Sequence, residues 1–438
     1  MRGEKNCHIL HPMKTKDNAN LRLQGYAEES LHHLVGIMSG TSFDGVDAVL
    51  VEIKTGAEGY LESVRLLGQS SLPYSAALKS RLLPLCSPGT AKIDEIVFAH
   101  FGLARWYAAA VENLLKETGF PAERVTALCL HGQTIWHAPQ GVGFPAPDGL
   151  DFPARGTLQI GSAPALREML GIPVISDFRS RDMAAGGEGA PLAPYVDALL
   201  FGSDGRGRVV QNIGGIGNAT VVPAGGSSAR AKGSGAKSGD AKSAGIFAFD
   251  TGPGNMIMDE LVRRHTGGTM HYDAEGRLGR QGNPDLALVE RLMEDPFFSK
   301  RPPKSTGREV YGSGFVDVLI VEGKKRGLGG EDLIATATAF TAESIVRSYR
   351  DFIFPVAHIA DVVVGGGGAM NPCLMDMLRR LLPQSVSLLT TADLGVPEQA
   401  REAMAFAVLG HEALMGRPGN LPEVTGASKS VILGVITL

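Results

Sequence analysis

Two acids and two guanidiniums fall within six residues at Asp177-Phe178-Arg179-Ser180-Arg181-Asp182, directly after the apolar run Pro173–Ser176. An arginine here could fix an anionic substrate through paired N–H donors, and an aspartate could take the proton of an attacking nucleophile. An internal ion-pair network is the plain alternative. The following Gly186-Gly187-Glu188-Gly189-Ala190-Pro191 lets the backbone approach a ligand closely. A second polar turn, Asp250-Thr251-Gly252-Pro253-Gly254-Asn255, stands between a strand and a helix. Its carboxylate could orient the waters of Mg²⁺ or the nucleotide, and the helical amides could receive anionic oxygens. An Asx turn with a helix cap would look the same. Lys304-Ser305-Thr306-Gly307-Arg308-Glu309 carries two cations around small residues and could reach a phosphate or a substrate carboxylate, or be a solvated loop. His131 and His137 flank Trp136 with no acid or cysteine at metal-ligand spacing, so they read as substrate-cleft or structural residues.

Three glycine-rich turns follow three strands, at Gly36–Gly45, Gly214–Gly217 and Gly365–Gly368. One such turn is common; three at equivalent strand ends point to a phosphate cradle of backbone N–H groups. GxxxxGK[ST] is absent, as are GxGxxG at a strand-to-helix junction and a protein-kinase lysine and catalytic loop, so phosphoryl transfer would need another scaffold.

The elements that must carry these groups are legible in outline. Leu34–Met38 and Val46–Ile53 make a β-hairpin around the first turn, Ile93–Glu117 has helical spacing, and Val125–Leu130 and Pro173–Ser176 are short strands separated by a helix at Pro164–Leu170. A second lobe repeats the plan from Arg208–Ile213, with helices over Met256–Thr266, Asp332–Tyr349, Pro372–Leu382 and Gln399–Met415 and a strand at Asp361–Val364. The expected organisation is an N-terminal extension over 1–33, a first lobe over 34–206 rejoined by 399–438, and a second lobe over 207–398. Within the second lobe, 225–245 is almost entirely Gly, Ala, Ser and Lys and reads as a flexible insertion, having too little apolar area to offset ordering.

The 438 residues can bury large cores, and a net charge of −4 argues against a general nucleic-acid binder. Four scattered cysteines without metal spacing suit a reducing compartment, and neither a signal peptide nor a membrane-spanning run is present, so the expected location is cytoplasmic.

Taken together, Gly36-Ile-Met-Ser-Gly-Thr-Ser-Phe-Asp-Gly-Val-Asp47, His131–Thr134, Asp177–Pro191, Asn212–Asn218, Asp250–Asn255, Lys304–Glu309 and Val424-Thr-Gly-Ala-Ser428 resemble the anhydro-N-acetylmuramic acid kinases. The resemblance runs from about Leu34 to the C-terminus. It implies a two-lobed α/β fold, the actin-like ATPase (ribonuclease H-like) fold, with a nucleotide cleft between the lobes. It also implies an enzyme of cell-wall recycling that uses ATP and water to convert 1,6-anhydro-N-acetylmuramic acid into N-acetylmuramic acid 6-phosphate, and it suggests a homodimer. Action on an ordinary hexose or amino sugar, or a non-catalytic ATP sensor, are the alternatives.

Carried onto this chain, Gly40, Thr41, Ser42, Asp44, Gly45 and Asp47 form the first phosphate hairpin, and Gly214, Gly215 and Asn218 the second. Gly366 and Gly367 lie on the adenosine side, and Asp250, Gly252, Gly254 and Asn255 complete the nucleotide set, with Asp44 and Asp250 toward Mg²⁺. His131, Gln133, Thr134, Asp177, Arg179, Lys304 and Arg308 are the substrate residues, and Asp182 is the general base that deprotonates water. The chain departs from the family pattern at Phe43, Glu188 and Val310; Glu188 adds negative charge near the expected base.

Overall fold

The computed structural model describes residues 22–56, 59–203, 205–225 and 245–438. Nearly all of the expected insertion 225–245 and most of the extension 1–33 lie outside the described residues. Two compact units result, Met1–Val196 with Gln399–Leu438, and Asp197–Glu398, so the division falls before the expected boundary at 206.

The strands in chain order are β1 (Leu31–Ser39), β2 (Gly45–Thr55), β3 (Leu61–Pro73), β4 (Ala127–Pro145), β5 (Asp151–Ile160), β6 (Val174–Ser176), β7 (Arg208–Ile213), β8 (Ile216–Val222), β9 (Phe247–Pro253), β10 (Asp361–Gly365), β11 (Ser387–Thr390) and β12 (Val435–Thr437). The helices that matter to the site are α1 (Ile93–Thr118), α2 (Ala163–Leu170), α3 (Ser180–Ala184), α4 (Met256–His265), α5 (Gly330–Ser348), α6 (Pro372–Leu381) and α7 (Glu398–Leu414).

Both units carry one plan. In the first, the sheet runs β12-β6-β4-β1-β2-β3, with β5 paired to β4; in the second it runs β11-β10-β7-β8-β9. Each begins with an antiparallel meander, β1-β2-β3 or β7-β8-β9, and adds two parallel strands beside the first, β4 and β6 or β10 and β11. Hairpins can close the meanders directly, whereas a parallel return needs a crossover. Helices supply it: α1 lies between β3 and β4, α2 between β5 and β6, α4 and α5 between β9 and β10, and α6 between β10 and β11. The fold is thus of the α/β, actin- and hexokinase-like kind, seen in each unit.

Local chemistry explains these elements. α1 opens with Asp94 and Glu95, ends with Lys116, and stops at Gly119 in the left-handed region, as the helix dipole and the C-terminal cap favour. Its Leu103, Tyr107, Val111 and Leu114 recur every three or four residues and are buried against the first sheet's core. The β10 residues Val362, Val363 and Val364 are buried without alternation, as a central parallel strand requires. The large apolar cluster of the second unit includes much of α5, which is buried along most of its length.

Two strand expectations fell short. The strand expected at Val125–Leu130 continues through His131–Thr134 to Pro145 and returns as β5, so the histidine segment lies within a strand. Asp250 likewise sits inside β9 and not in the turn after it. In both, small and polar residues hid a ladder whose partner strand supplies the hydrogen bonds.

Candidate active site

Ligands of open α/β sheets gather outside the carboxyl ends of parallel strands. In the first unit those ends deliver Gly40–Asp44 after β1, His131–Thr134 along β4, and Asp177–Arg179 after β6. The β1 turn and β4 are tied together, since Ser39 pairs with Gln133 in register and the Gln133 Nε2 donates to the carbonyl of Gly40 at 3.0 Å. Thr41, Ser42 and Asp44 are exposed, whereas the intervening Phe43 is buried at a left-handed φ of 58°. A non-glycine residue held there signals local strain, and the buried ring holds the turn in that shape. Asp44 lies 3.7 Å from Lys79, and Asp47 accepts from the Ser71 hydroxyl at 2.5 Å. Thr134 extends the polar ladder by accepting from Gln159 Nε2 at 3.2 Å.

After β6, Asp177 also has a left-handed φ, 55°, and an exposed carboxylate whose Oδ1 accepts from the Ser180 hydroxyl at 2.6 Å. Arg179 turns inward: its Nε and Nη2 donate to His131 Nε2 at 3.1 and 3.0 Å, and its Nη1 to the carbonyl of Gly189 at 2.8 Å. Burial, followed by the adjacent guanidinium, lowers the His131 pKa to about 3, so the ring is a neutral acceptor. Phe406 of α7 packs on both His131 and Phe178, with ring centroids 4.5 and 5.4 Å apart. The expected residues His131, Gln133, Thr134, Asp177 and Arg179 are therefore brought together on one unit.

Asp182, expected as the general base, lies in the interior of the first unit. It is fully buried, and its carboxylate accepts from Asn420 Nδ2 at 2.6 Å, Thr425 Oγ1 at 2.7 Å and the Gly189 amide at 2.8 Å. These bonds tie the C-terminal segment and the 186–189 loop to α3, and they leave the carboxylate of Asp182, the expected general base, enclosed by protein.

In the second unit the motifs again gather at strand ends. The β7–β8 turn at Gly214 and Gly215 accepts the amides of Asn255 and Gly254 at 2.7 and 2.9 Å, and the Asn255 side chain donates to the carbonyl of Ile213 at 3.0 Å. Asn218 pairs with Asn212 on the same hairpin. Gly366, at φ 85°, lies against the backbone of Ile213, so the β10 turn abuts the β7 turn, and the Asn255 amide lies beside Gly367. Thr341 of α5 donates to the carbonyl of Gly254 at 3.0 Å, fixing the segment from behind.

Asp250 is half-buried. Its amide donates to the carbonyl of Lys304 at 3.1 Å, and its Oδ2 accepts from the Thr306 amide at 2.9 Å; no hydrogen bond among the described residues engages Oδ1. Burial raises its pKa, the Thr306 amide opposes that shift, and the charge of Glu309 adds to it. An acid of this kind takes up a proton more readily than a surface aspartate, as proton transfer in a site requires. Sequence reasoning named Asp250 for the nucleotide and metal. Its half-buried position follows from its place in β9, directly after Phe247-Ala248-Phe249.

Lys304 departs further from expectation. Only 5% exposed, it turns its ammonium toward the carbonyls of Phe297 and Phe298. Burial lowers its pKa to about 8. Arg308, by contrast, is exposed on the short helix Arg308–Tyr311.

Among the described residues no three His, Cys, Asp or Glu side chains converge as a metal cage. Mg²⁺ rarely needs one, since it binds through one or two carboxylates, waters and the phosphates of the nucleotide. The exposed Asp44 fits that demand better than Asp250, whose Oδ2 is already engaged.

Comparison with known proteins bears on this geometry. A family model described as Anhydro-N-acetylmuramic acid kinase matches residues 32–438. The anhydro-N-acetylmuramic acid kinase of Caldanaerobacter subterraneus subsp. tengcongensis is 40% identical over 405 residues, covering 92% of this chain and 96% of that protein. The enzyme of the same name from Bacillus cereus strain G9842 is 39% identical over 406 residues, covering 92% and 99%. Among solved structures, the ROK hexokinase of Thermus thermophilus aligns over 86% of this chain and 99% of that one, at 16% identity and a TM-score of 0.30, too loose a likeness to carry an argument.

Proposed function

The chain belongs to the anhydro-N-acetylmuramic acid kinase family, and we propose that Asp250 is the general base of its reaction. The enzyme is an ATP-dependent kinase that opens the 1,6-anhydro ring of anhydro-N-acetylmuramic acid and phosphorylates O6, a step of peptidoglycan recycling. The observation that supports the base assignment is the half-buried Asp250 carboxylate, oriented through Oδ2 by the Thr306 amide, with Oδ1 engaged by no hydrogen bond among the described residues.

In this reading a water attacks C1 of the sugar and gives its proton to Asp250. The C1–O6 bond breaks, O6 forms a bond to the γ-phosphorus, and ADP leaves as the bridging P–O bond breaks. The amides and hydroxyls of Gly40–Ser42 and the turns at Gly214–Gly215 and Gly366–Gly367 would hold phosphate oxygens. Thr134, Asp177, Arg308 and the Arg179–His131 pair would orient the sugar. Mg²⁺, when bound beside Asp44, would neutralise phosphate charge. A homodimer and a cytosolic location belong to the same proposal; among the described residues no helix is long and apolar enough to cross a membrane.

The experiment is turnover of 1,6-anhydro-N-acetylmuramic acid with ATP and Mg²⁺ in ¹⁸O-water, read by mass spectrometry. The product should carry one solvent oxygen at the anomeric position. Phosphorylation of an ordinary amino sugar at a comparable rate, without solvent oxygen in the product, would overturn the reading.

A further inference from the structure

We propose that Lys304 is a positioning residue for Asp250: its caged ammonium fixes the backbone of residues 304–306, which grips Asp250 at both its amide and its carboxylate. The proposal rests on the reading of Asp250 as base.

The cage is built from three separate elements. The Lys304 Nζ lies 4.6 Å from the ring centroids of Phe297 and Phe352 and 5.8 Å from that of Phe249. It also donates to the carbonyls of Phe297 and Phe298 at 3.2 and 3.3 Å. Aromatic faces attract a cation most strongly when it is withdrawn from water, and here the side chain is only 5% exposed. Phe249 immediately precedes Asp250 on β9, so one end of the cage is continuous with the strand that carries the acid.

From that anchor the chain makes two short connections. The Lys304 carbonyl accepts from the Asp250 amide at 3.1 Å, and two residues later the Thr306 amide donates to Asp250 Oδ2 at 2.9 Å. The second bond decides which carboxylate oxygen stays available. If the ammonium left its cage, the 304–306 segment would lose the anchor that the Lys304 side chain supplies, and the Thr306 amide would no longer be held at the acid. A hydrophobic side chain could fill the volume but would leave the carbonyls of Phe297 and Phe298 without this donor.

The test compares Lys304→Met, Lys304→Arg, Asp250→Asn and the double variant Lys304→Met/Asp250→Asn in the full chain, with ATP and the anhydro sugar. Misplacement of a reacting group by a fraction of an ångström to 1 Å is worth up to about 100-fold, so Lys304→Met should lower kcat about 10- to 100-fold. KM for both substrates should stay within about twofold, because the lost contact touches neither. Lys304→Arg keeps a cation over the rings and should recover most of the rate. The double variant should be no slower than Asp250→Asn alone, since both changes act through one group. A folded Lys304→Met enzyme with unchanged kcat overturns the proposal, as does a loss confined to the sugar KM or a further loss in the double variant. Should Lys304→Met fail to fold, Phe352→Leu, which opens one wall of the cage, is read in the same way. Wild-type turnover by Asp250→Asn would sink the base assignment itself, whereas an inactive Asp250→Asn beside a fully active Lys304→Met would sink only the role of Lys304.

Discussion

A Cβ at residue 187 would overlap the carboxylate of Asp182, so the loop after α3 can close over that acid only because Gly187 has no side chain. The close approach brings the Gly189 amide to Asp182 Oδ2 while Asn420 and Thr425 fill Oδ1. A carboxylate buried with its donors in place is a joint between segments.

Asp182→Asn should therefore act first on stability. The amide nitrogen it introduces would face the Gly189 N–H or the Asn420 and Thr425 donors, leaving a buried donor unpaired at a cost of about 1–3 kcal/mol. Denaturant unfolding should show a lower midpoint with an unchanged slope. Full stability combined with lost turnover would return Asp182 to the chemistry.

Asp250→Asn should leave the fold and nucleotide binding intact and lower kcat by about 100- to 10,000-fold, the usual worth of a general base. Titration calorimetry with ADP and steady-state turnover of the anhydro sugar check the two halves. Loss of nucleotide binding without a fall in kcat at saturating ATP would assign Asp250 to the nucleotide alone.

Gly366→Ala should weaken nucleotide binding. At φ 85° the residue is in the left-handed region, and a methyl group would also press on the Ile213 backbone of the neighbouring turn. Strain of this sort costs on the order of 1–3 kcal/mol, to be met by deforming the paired turns. A rise in the Kd for ADP with little change in the sugar KM is the expected pattern, and an unchanged Kd would remove this turn from the nucleotide site.

Acid should destabilise the first unit through its buried histidines. His411 Nε2 accepts from Arg417 at 3.2 Å, its Nδ1 is hydrogen-bonded to the Tyr26 hydroxyl at 2.6 Å, and burial with the Arg417 charge and His32 lowers its pKa to about 3. Below about pH 6.5 the unfolded chain takes up a proton that the folded one refuses, so stability falls with decreasing pH from there until the folded pKa is reached. Each such histidine contributes a slope of about 1.4 kcal/mol per pH unit, and His131 has the same sign. Denaturant midpoints between pH 4 and pH 7 should fall less steeply in His411→Gln than in the parent enzyme; identical slopes would show that His411 is protonated without cost.

Much of this enzyme was legible from local pattern. Glycine turns after apolar runs placed Gly40–Asp44, Gly214–Gly215 and Gly366–Gly367 at strand ends, and helix boundaries at α1, α4 and α6 followed from spacing and caps, because turns and helices are decided by residues near in sequence. The motifs were also specific enough to indicate the family. What remained closed to reading was which acid is dry and saturated and which is poised. Asp182 is sealed by Asn420 and Thr425, 238 and 243 residues away, and Lys304 is drawn inward by rings from three elements. Burial and hydrogen-bond saturation depend on partners that only tertiary packing brings near, so residue type and spacing alone could mark each of these side chains as chemically able without deciding which one meets the substrate.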